Sequence, residues 1–479
     1  MVDVSPSGLG LDPGSFRDPD SRVLVGPDGV YRLLSDRGLA DWRALATSPT
    51  FSRFTESGAL VATQEAEDIE PRDLGVTMPS AGCAGALRHQ RIPFISYPYE
   101  WSFGMLRDAA ILQLDLLLSA LDDGLVVKDA SSYNVQWRGS RPVFIDIGSF
   151  ERLREGEPWV GYRQFCAHYL NPLLLQAYRG ISFQPWLRGS IDGISPQEAD
   201  ACFSLRDHLR RGVLTHVHLH SKLEARNAAR QGDDVRKELR EAKFSSELIR
   251  ANARKLRKLI AGLEWRHGAS AWTGYREMNT YTESTASQKR DFVAEAVTRV
   301  QPRLVWDIGS NDGAYARVAA REGAYVVALD SDHTTIEALY RDLSQDASDS
   351  ILPLVADVAN PSPGLGWRGS ERRPLEVRGR PDLVLALALV HHVSIGANVP
   401  LAEVVAWLRS LGAPVVVEFP DREDPMVRSL LSGKGPGANP DYGLESFERL
   451  LSERFTVDRR EQLEPGGRVL YLATPSGNL

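Results

Sequence analysis

Val305-Trp306-Asp307-Ile308-Gly309-Ser310-Asn311-Asp312-Gly313 is the stretch on which the reading of this chain turns. Its first residues are apolar enough for a buried strand. Gly309 then permits close backbone approach at the strand's end, and the Ala-rich run after Gly313 has the composition of a helix. Gly313 lets the first helical turn pack against a sheet or a ligand. The spacing reads DxGxNxG, which differs from the GxGxxG of dinucleotide-binding loops.

Working outward, apolar strands alternate with helical stretches from Arg303 onward: LVWDIG, AYVVALD, ILPLVAD, PDLVLALAL and PVVVEF. This alternation predicts βαβ units on a parallel sheet. FTVDRREQL and RVLYLAT, joined across Pro465-Gly466-Gly467, predict an antiparallel hairpin closing one edge. The second strand ends at Asp330, the third at Ala356-Asp357, and the fourth, Asp382 to Val390, at His391-His392. Open α/β sheets bind ligands outside the carboxyl ends of their strands, so these residues are expected to share one crevice. A carboxylate at Asp330 suits the paired hydroxyls of a ribose.

This ordered set resembles the class I S-adenosylmethionine-dependent methyltransferases, from Arg303 to the end and including the terminal antiparallel pair. The resemblance implies a Rossmann-like, seven-stranded sheet within an α/β domain at 266–479. It implies S-adenosylmethionine as cofactor and S-adenosylhomocysteine as product. By the same resemblance Asp307, Gly309, Ser310, Asn311 and Gly313 cradle the methionine part, Asp330 holds the ribose, and Asp357 with Val358 faces the adenine. Asn311 stands where the family most often has glycine. His391 and His392 are expected near the methyl group or the acceptor. A neutral imidazole there could take a proton from an acceptor hydroxyl or amine. Glu418, at the end of VVVEF, is a second acid/base candidate. Each residue also has a plainer role: Asp330 as a helix cap, Asp357 as a loop residue, the histidines as a hydrogen-bonded pair, Glu418 as a partner for Arg422 or Arg428. Tyr275 and Tyr281 are candidates for a lid or for simple packing. An NAD-dependent dehydrogenase fits the glycine spacing and the terminal strand pair poorly.

In the N-terminal half, Gly29–Leu34, Phe51–Gln64 and Arg91–Tyr97 are expected as strands, and Leu106–Leu121 as a buried helix. VVKD, a loop, NVQW, a turn at Gly139 and PVFIDIGSF predict a hairpin on an apolar base, with a helical stretch at Phe165–Tyr178. Asp129 and Asn134 fall on the loop, and Asp146 ends a strand. This spacing resembles the catalytic loop and DFG segment of protein-kinase-like phosphotransferases. The resemblance implies base and metal-ligand roles for Asp129, Asn134 and Asp146, and ATP with magnesium if that half is active. The departures are marked. There is no glycine-rich phosphate loop and no strand lysine paired with a helical glutamate, and Val127-Lys128 stands in place of His-Arg. The expectation is an α+β, kinase-like domain at 1–204 that has lost part of its machinery. The competing reading makes the three residues turn and cap positions. Residues 205–265 carry dense, interleaved charges and are expected as an exposed helical connector. The whole chain is similar to bacterial nodulation-type or polysaccharide-associated methyltransferases, on FISYPYEWSF, LVVKDASSYNVQ, RPVFIDIGSFE, WVGYRQFCAHYLNP, WDIGSNDGAYA and EFPDREDPMV. That likeness implies a carbohydrate-like or secondary-metabolite acceptor; the expected reaction is O- or N-methylation of a small-molecule or carbohydrate-like acceptor, with the methylated atom left open.

Bulk properties agree with a soluble globular protein of two to four domains. The chain has 479 residues, of which 43% are hydrophobic and 25% charged, against roughly 100–200 residues per domain. A net charge of −7 gives no global basic field for nucleic acid. Cys83, Cys166 and Cys202 are scattered, so neither a disulfide framework nor a CxxC zinc site is expected, and no metal is assigned. No apolar run reaches the ~18 residues of a membrane span, and the N-terminus lacks a signal-peptide pattern. The expected setting is the cytoplasm. The acceptor and the oligomeric state stay open. A bifunctional protein with an active kinase-like half and a non-catalytic scaffold are the competing classes.

Overall fold

The computed structural model describes residues 9–27, 29–67, 69, 82–228, 245–266, 283–435, 437–463 and 467–477. Tyr275, Tyr281, Pro465, Gly466 and the part of the charged segment at 229–244 lie outside the described residues.

The N-terminal half opens with an antiparallel sheet of β1 (Gly10–Leu11), β2 (Ser21–Gly26), β3 (Gly29–Leu34), β4 (Thr63–Glu65) and β5 (Gly85–His89), in the order β1-β2-β3-β5-β4. Helices Asp36–Ala46 and Pro49–Glu56 connect β3 to β4, capped by the Ser35 and Ser48 hydroxyls. Phe51–Gln64 is therefore mostly helix and turn rather than strand, because Ser48 followed by Pro49 is a strong helix start. Arg91–Tyr97 also corrects an expectation: it forms no strand. Pro93 and Pro98 interrupt it, and its Phe94 and Tyr97 are buried through irregular backbone.

The helix Phe103–Asp122, capped by Ser102, is apolar nearly all round and runs through the core. Beyond it, β6 (Leu125–Val127) pairs with β9 (Phe150–Arg152), and β7 (Val135–Arg138) pairs with β8 (Arg141–Phe144). Phe165–Tyr178 is helical in three joined pieces, Tyr162–Phe165, a wide turn Cys166–Leu170, and Asn171–Arg179. The connector is not simply solvated. Helix Ser246–Ala261 buries Ile249, Ala253, Leu256, Leu259 and Ile260. It lies against the central helix, where Arg257 clasps Asp115 at 2.5 and 3.0 Å. Its many charges occupy the outward face of an amphipathic helix.

The C-terminal half is a seven-stranded sheet in the order β12-β11-β10-β13-β14-β16-β15. Its strands are β10 (Leu304–Ile308), β11 (Tyr325–Asp330), β12 (Ile351–Val355), β13 (Leu383–Ala386), β14 (Val415–Pro420), β15 (Phe455–Leu463) and β16 (Arg468–Pro475). β10 to β14 run parallel, and β16 is antiparallel to both β14 and β15. β13 ends four residues earlier than expected. The backbone turns at Ala388, with φ +50°, and His391 and His392 sit in the helical turn that follows.

Alternation sends successive strand residues to opposite faces of the sheet. Val305, Val326 and Leu385 pack on one face beside Phe292 and Val293 of helix Glu283–Val300. Trp306, Val327 and Val384 pack on the other, in a core continuous with Trp101, Trp137 and Phe144 of the N-terminal half. The two halves thus share one hydrophobic core. Polar contacts add to it: the Gly104 amide donates to Glu337 at 2.7 Å, Tyr340 donates to Asp108 at 2.7 Å, and the Ser140 amide donates to the Ser348 carbonyl at 2.7 Å. At the β7–β8 turn Gly139 has φ +56°, and a Cβ there would lie 2.4 Å from the Ser348 carbonyl oxygen. Only glycine fits that approach.

Candidate active site

Strand order reverses between β10 and β13, which opens a crevice at their carboxyl ends. The turn after β10 lines it. Gly309, Asn311 and Gly313 all take left-handed backbone, with φ of +75°, +49° and +73°. The amides of Gly309 and Ser310 donate to the Leu329 carbonyl at 2.8 and 3.0 Å. The Asn311 amide donates to Asp330 Oδ2 at 3.0 Å. A Cβ on Gly313 would meet Leu339 Cδ1 at 2.8 Å, so the helix Ala314–Arg321 starts hard against its neighbour. Asparagine tolerates the left-handed region, so Asn311 can replace a glycine here.

Asp307 is 2% exposed. Burial pushes its carboxyl up to about 7, with Asp330 and Asp312 adding to the rise against the hydrogen bond from the Ala316 amide. Asp307 Oδ2 and the Ser310 hydroxyl oxygen are buried without a hydrogen-bond partner, as are both ring nitrogens of His391. Buried polar atoms are normally satisfied, so several orphans at one strand-end crevice mark a place shaped for a polar ligand. Asp330 is half-buried. Its two oxygens accept from the Asn311 and Asp332 amides at 3.0 and 2.9 Å, which leaves lone pairs for a hydroxyl-bearing ligand. Burial raises its carboxyl above the usual range.

The remaining candidates are placed differently. Asp357 is exposed, and its Oδ1 accepts from the Ala359 amide at 2.9 Å. Val358 is half-buried against the core. His391 and His392 pack with ring centroids 4.1 Å apart and planes tilted by 39°. Burial, then His392, keeps the His391 imidazole neutral far below its ordinary range, and burial followed by Arg468 lowers His392 to about 4.

Glu418 is held by neither Arg422 nor Arg428. Arg422 binds the Asn439 and Tyr442 carbonyls and Arg428 pairs with Glu423. Glu418 is instead fully buried between Lys289 Nζ at 2.6 Å and Arg468 at 3.0 Å. Burial alone would raise its carboxyl; the two cations overcome that and hold it below its ordinary value. Arg468 also reaches Asp424 at 2.6 Å, and Asp424 caps helix Pro425–Ser432. Lys289, Arg468 and Asp424 escaped the sequence reading. The one available signal was Arg468, a charge opening the apolar strand RVLYLAT.

In the N-terminal half Asp129, Asn134 and Asp146 do converge, through Ser149. Asn134 donates to the Ser149 hydroxyl at 3.2 Å and to the Asp129 carbonyl at 3.4 Å, and Ser149 donates to Asp146 at 2.6 Å. Asp146 pairs with Arg32 of β3 at 2.7 Å, a partner the sequence did not suggest. Burial, then the Asp146 charge, raises the Asp129 carboxyl.

No family model matches the chain. It is 35% identical over 460 residues to the nodulation protein NoeA of Rhizobium meliloti strain 1021, an alignment that covers 96% of this chain and 94% of that one. The chain belongs to the NoeA family. The solved structures similar to this NoeA-family chain are more distant. The N-methyltransferase NodS of Bradyrhizobium japonicum WM9, in complex with S-adenosyl-L-homocysteine, is 12% identical with a TM-score of 0.32, over 44% of this chain and 94% of NodS. Magnesium protoporphyrin IX methyltransferase from Synechocystis PCC 6803, with bound SAH, is 16% identical with a TM-score of 0.31, over 44% of this chain and 90% of that one. WbdD is 18% identical with a TM-score of 0.29, over 40% of each chain. For the NoeA-family chain itself, the order and direction of its seven strands carry the description of the fold.

Proposed function

We propose that the C-terminal half binds S-adenosylmethionine at the crevice between β10 and β13 and transfers its methyl group to a small-molecule or carbohydrate-like acceptor. The observation that carries this reading is the pair of unpartnered, buried oxygens on Asp307, near the end of β10, and on Ser310, in the turn that Asp330 pins. These residues fit the amino-acid and ribose parts of such a group, whose bound form supplies an electrophilic sulfonium methyl. Asp307 and Ser310 would bind the polar amino-acid end, Asp330 the ribose hydroxyls, and the loop at Asp357 and Val358 would border the adenine. His392, neutral across the physiological range, would accept the proton of an acceptor hydroxyl or amine. Much of the rate would come from holding the two reactants in line. Glu418 acts in this reading by fixing Lys289 and Arg468 rather than as the base, because two cations stabilise its ionised form.

Calorimetric titration with S-adenosylmethionine and S-adenosylhomocysteine tests the reading. Saturable binding by the full chain that Asp330→Ala abolishes supports it. No binding by folded wild-type protein overturns it in favour of a non-catalytic scaffold.

A second reading, a nucleotide site in the N-terminal half, is favoured by one observation: Asp129 and Asp146 come together beside Asn134, with Arg32 against Asp146. ATP with magnesium is the ligand it implies. Binding of that pair, lost in Asp146→Asn, is the result it requires.

The negative net charge gives no support for a nucleic-acid partner. No helix among the described residues is long and apolar enough to cross a membrane.

A further inference from the structure

Away from both sites, three short turns of the N-terminal half bring a carboxylate and two imidazoles together. Asp200 lies on helix Pro196–Ala201, His208 on the tight turn Leu205–Leu209, and His218 at the end of the wide turn Val213–His218. One ligand atom from each lies within 4.8 Å of the others. His218 Nδ1 is 3.0 and 3.1 Å from the two Asp200 oxygens, and His208 Nε2 is 3.8 Å from Oδ1. The two rings pack with centroids 4.2 Å apart and planes tilted by 37°.

An ordinary hydrogen bond explains His218 and Asp200. It does not explain His208, whose nitrogen is beyond hydrogen-bond reach of the same carboxylate. It also does not explain why a second imidazole packs against the first, tilted by 37°, beside one acid. A shared cation explains both. A tetrahedral ion with bonds of ~2.0–2.1 Å sets its ligands about 3.3 Å apart, a spacing the observed separations bracket.

We propose that Asp200, His208 and His218 form a three-ligand site for a borderline first-row divalent cation of the zinc class. Two imidazoles and one carboxylate, without a thiolate, suit zinc or its neighbours; calcium and magnesium prefer sets made wholly of oxygen. The side chains are 17–23% exposed, so solvent can supply the fourth ligand. The site would act as a staple. Leu205 and Leu209 on the middle turn are 84% and 91% exposed, so little apolar burial holds that turn, and a cross-link to two neighbouring turns would fix it. Binding requires neutral imidazoles and releases any protons they carry.

The test uses untagged full-length protein, stripped with a chelator and dialysed, then titrated with zinc chloride by calorimetry and with cobalt chloride by visible absorption. Saturable binding of one zinc per chain, a tetrahedral cobalt band and a raised melting temperature are expected. His208→Ala, His218→Ala and Asp200→Asn should each weaken zinc by at least about tenfold, and His220→Ala should leave it unchanged. Circular dichroism checks folding. Where an alanine variant fails to fold, Asp200→Asn and His208→Gln decide. Absence of saturable zinc binding by the wild type, or wild-type affinity in the folded triad variants, overturns the proposal.

Discussion

Glu100 and Arg378 form an ion pair in which each side chain is only 1% exposed, joining the segment before the central helix to the loop before β13. Arg378 also donates to the Ile95 carbonyl at 2.9 Å and lies over the ring of Tyr97. Arg378→Ala would leave the Glu100 carboxylate in the core without its counter-charge. The expected cost is about 3–5 kcal/mol, the usual result of breaking a buried pair on one side. Denaturant unfolding followed by both tryptophan fluorescence and far-ultraviolet dichroism checks it. A shared core predicts one transition moved to lower denaturant; separate transitions for the two halves would contradict the shared-core description.

Asp330 has two tasks, and two substitutions separate them. Asp330→Ala removes the acceptor of the Asn311 and Asp332 amides and should cost about 1–3 kcal/mol of stability. Asp330→Asn keeps one acceptor oxygen and should recover part of that loss. Both should weaken S-adenosylhomocysteine by at least about tenfold, since about 1.4 kcal/mol of lost ribose contact is enough. Wild-type affinity in Asp330→Asn would remove Asp330 from the ligand site.

Asp307 makes stability depend on pH. Its folded carboxyl titrates at about 7, above the value in an unfolded chain, so the folded state holds a proton that the unfolded state has released. Its contribution is complete below about pH 4 and declines by about 1.4 kcal/mol per pH unit up to neutrality, then levels off. Asp307→Asn should lack this slope. Parallel melts of the two proteins between pH 5 and pH 8 give the comparison; parallel curves would show that Asp307 ionises normally.

His392 and Glu418 should separate by their effects on rate. With its imidazole lowered to about 4, His392 is a free base across the working range, so methyl transfer should be level from roughly pH 5 to 8. His392→Ala should lower kcat with cofactor binding retained, by less than the roughly 10²–10⁴-fold of a base tuned to the working pH, since burial leaves His392 a weak base. Glu418→Gln should chiefly lower stability, because Lys289 loses the buried carboxylate it pairs with while Arg468 keeps Asp424. A kcat loss in Glu418→Gln as large as that in His392→Ala, with stability intact, would reverse the two roles.

The β10 turn was legible because an apolar strand, a glycine and a helix start are all local signals. Asp330 was legible because strand ends in a parallel sheet converge. The Lys289–Glu418–Arg468–Asp424 network was hidden: its members come from a helix, two strands and a cap, and only the folded sheet places them together. Arg91–Tyr97 misled because aromatic residues can be buried without strand periodicity when prolines break the backbone pairing. The stripe Ile249, Ala253, Leu256 and Ile260 was present in the sequence but masked by the charges around it. The juxtaposition of Asp200, His208 and His218 was hidden because they stand apart in the sequence and only the folded turns bring them together.

The edges of the large sheet are unlike each other. β15 carries Asp458, Arg459, Arg460 and Glu461, charges that discourage another strand from pairing there. β12 is ILPLV, every residue buried. The turn at Gly139 and Ser140 sits against its approach, and the rest of the N-terminal half covers the adjoining face. A C-terminal fragment cut at the connector would therefore bare an uncharged border, blunted by Pro353 alone, and an apolar flank at once, and the flank would make it prone to aggregate. The N-terminal half thus shields this border and flank as well as sharing the core.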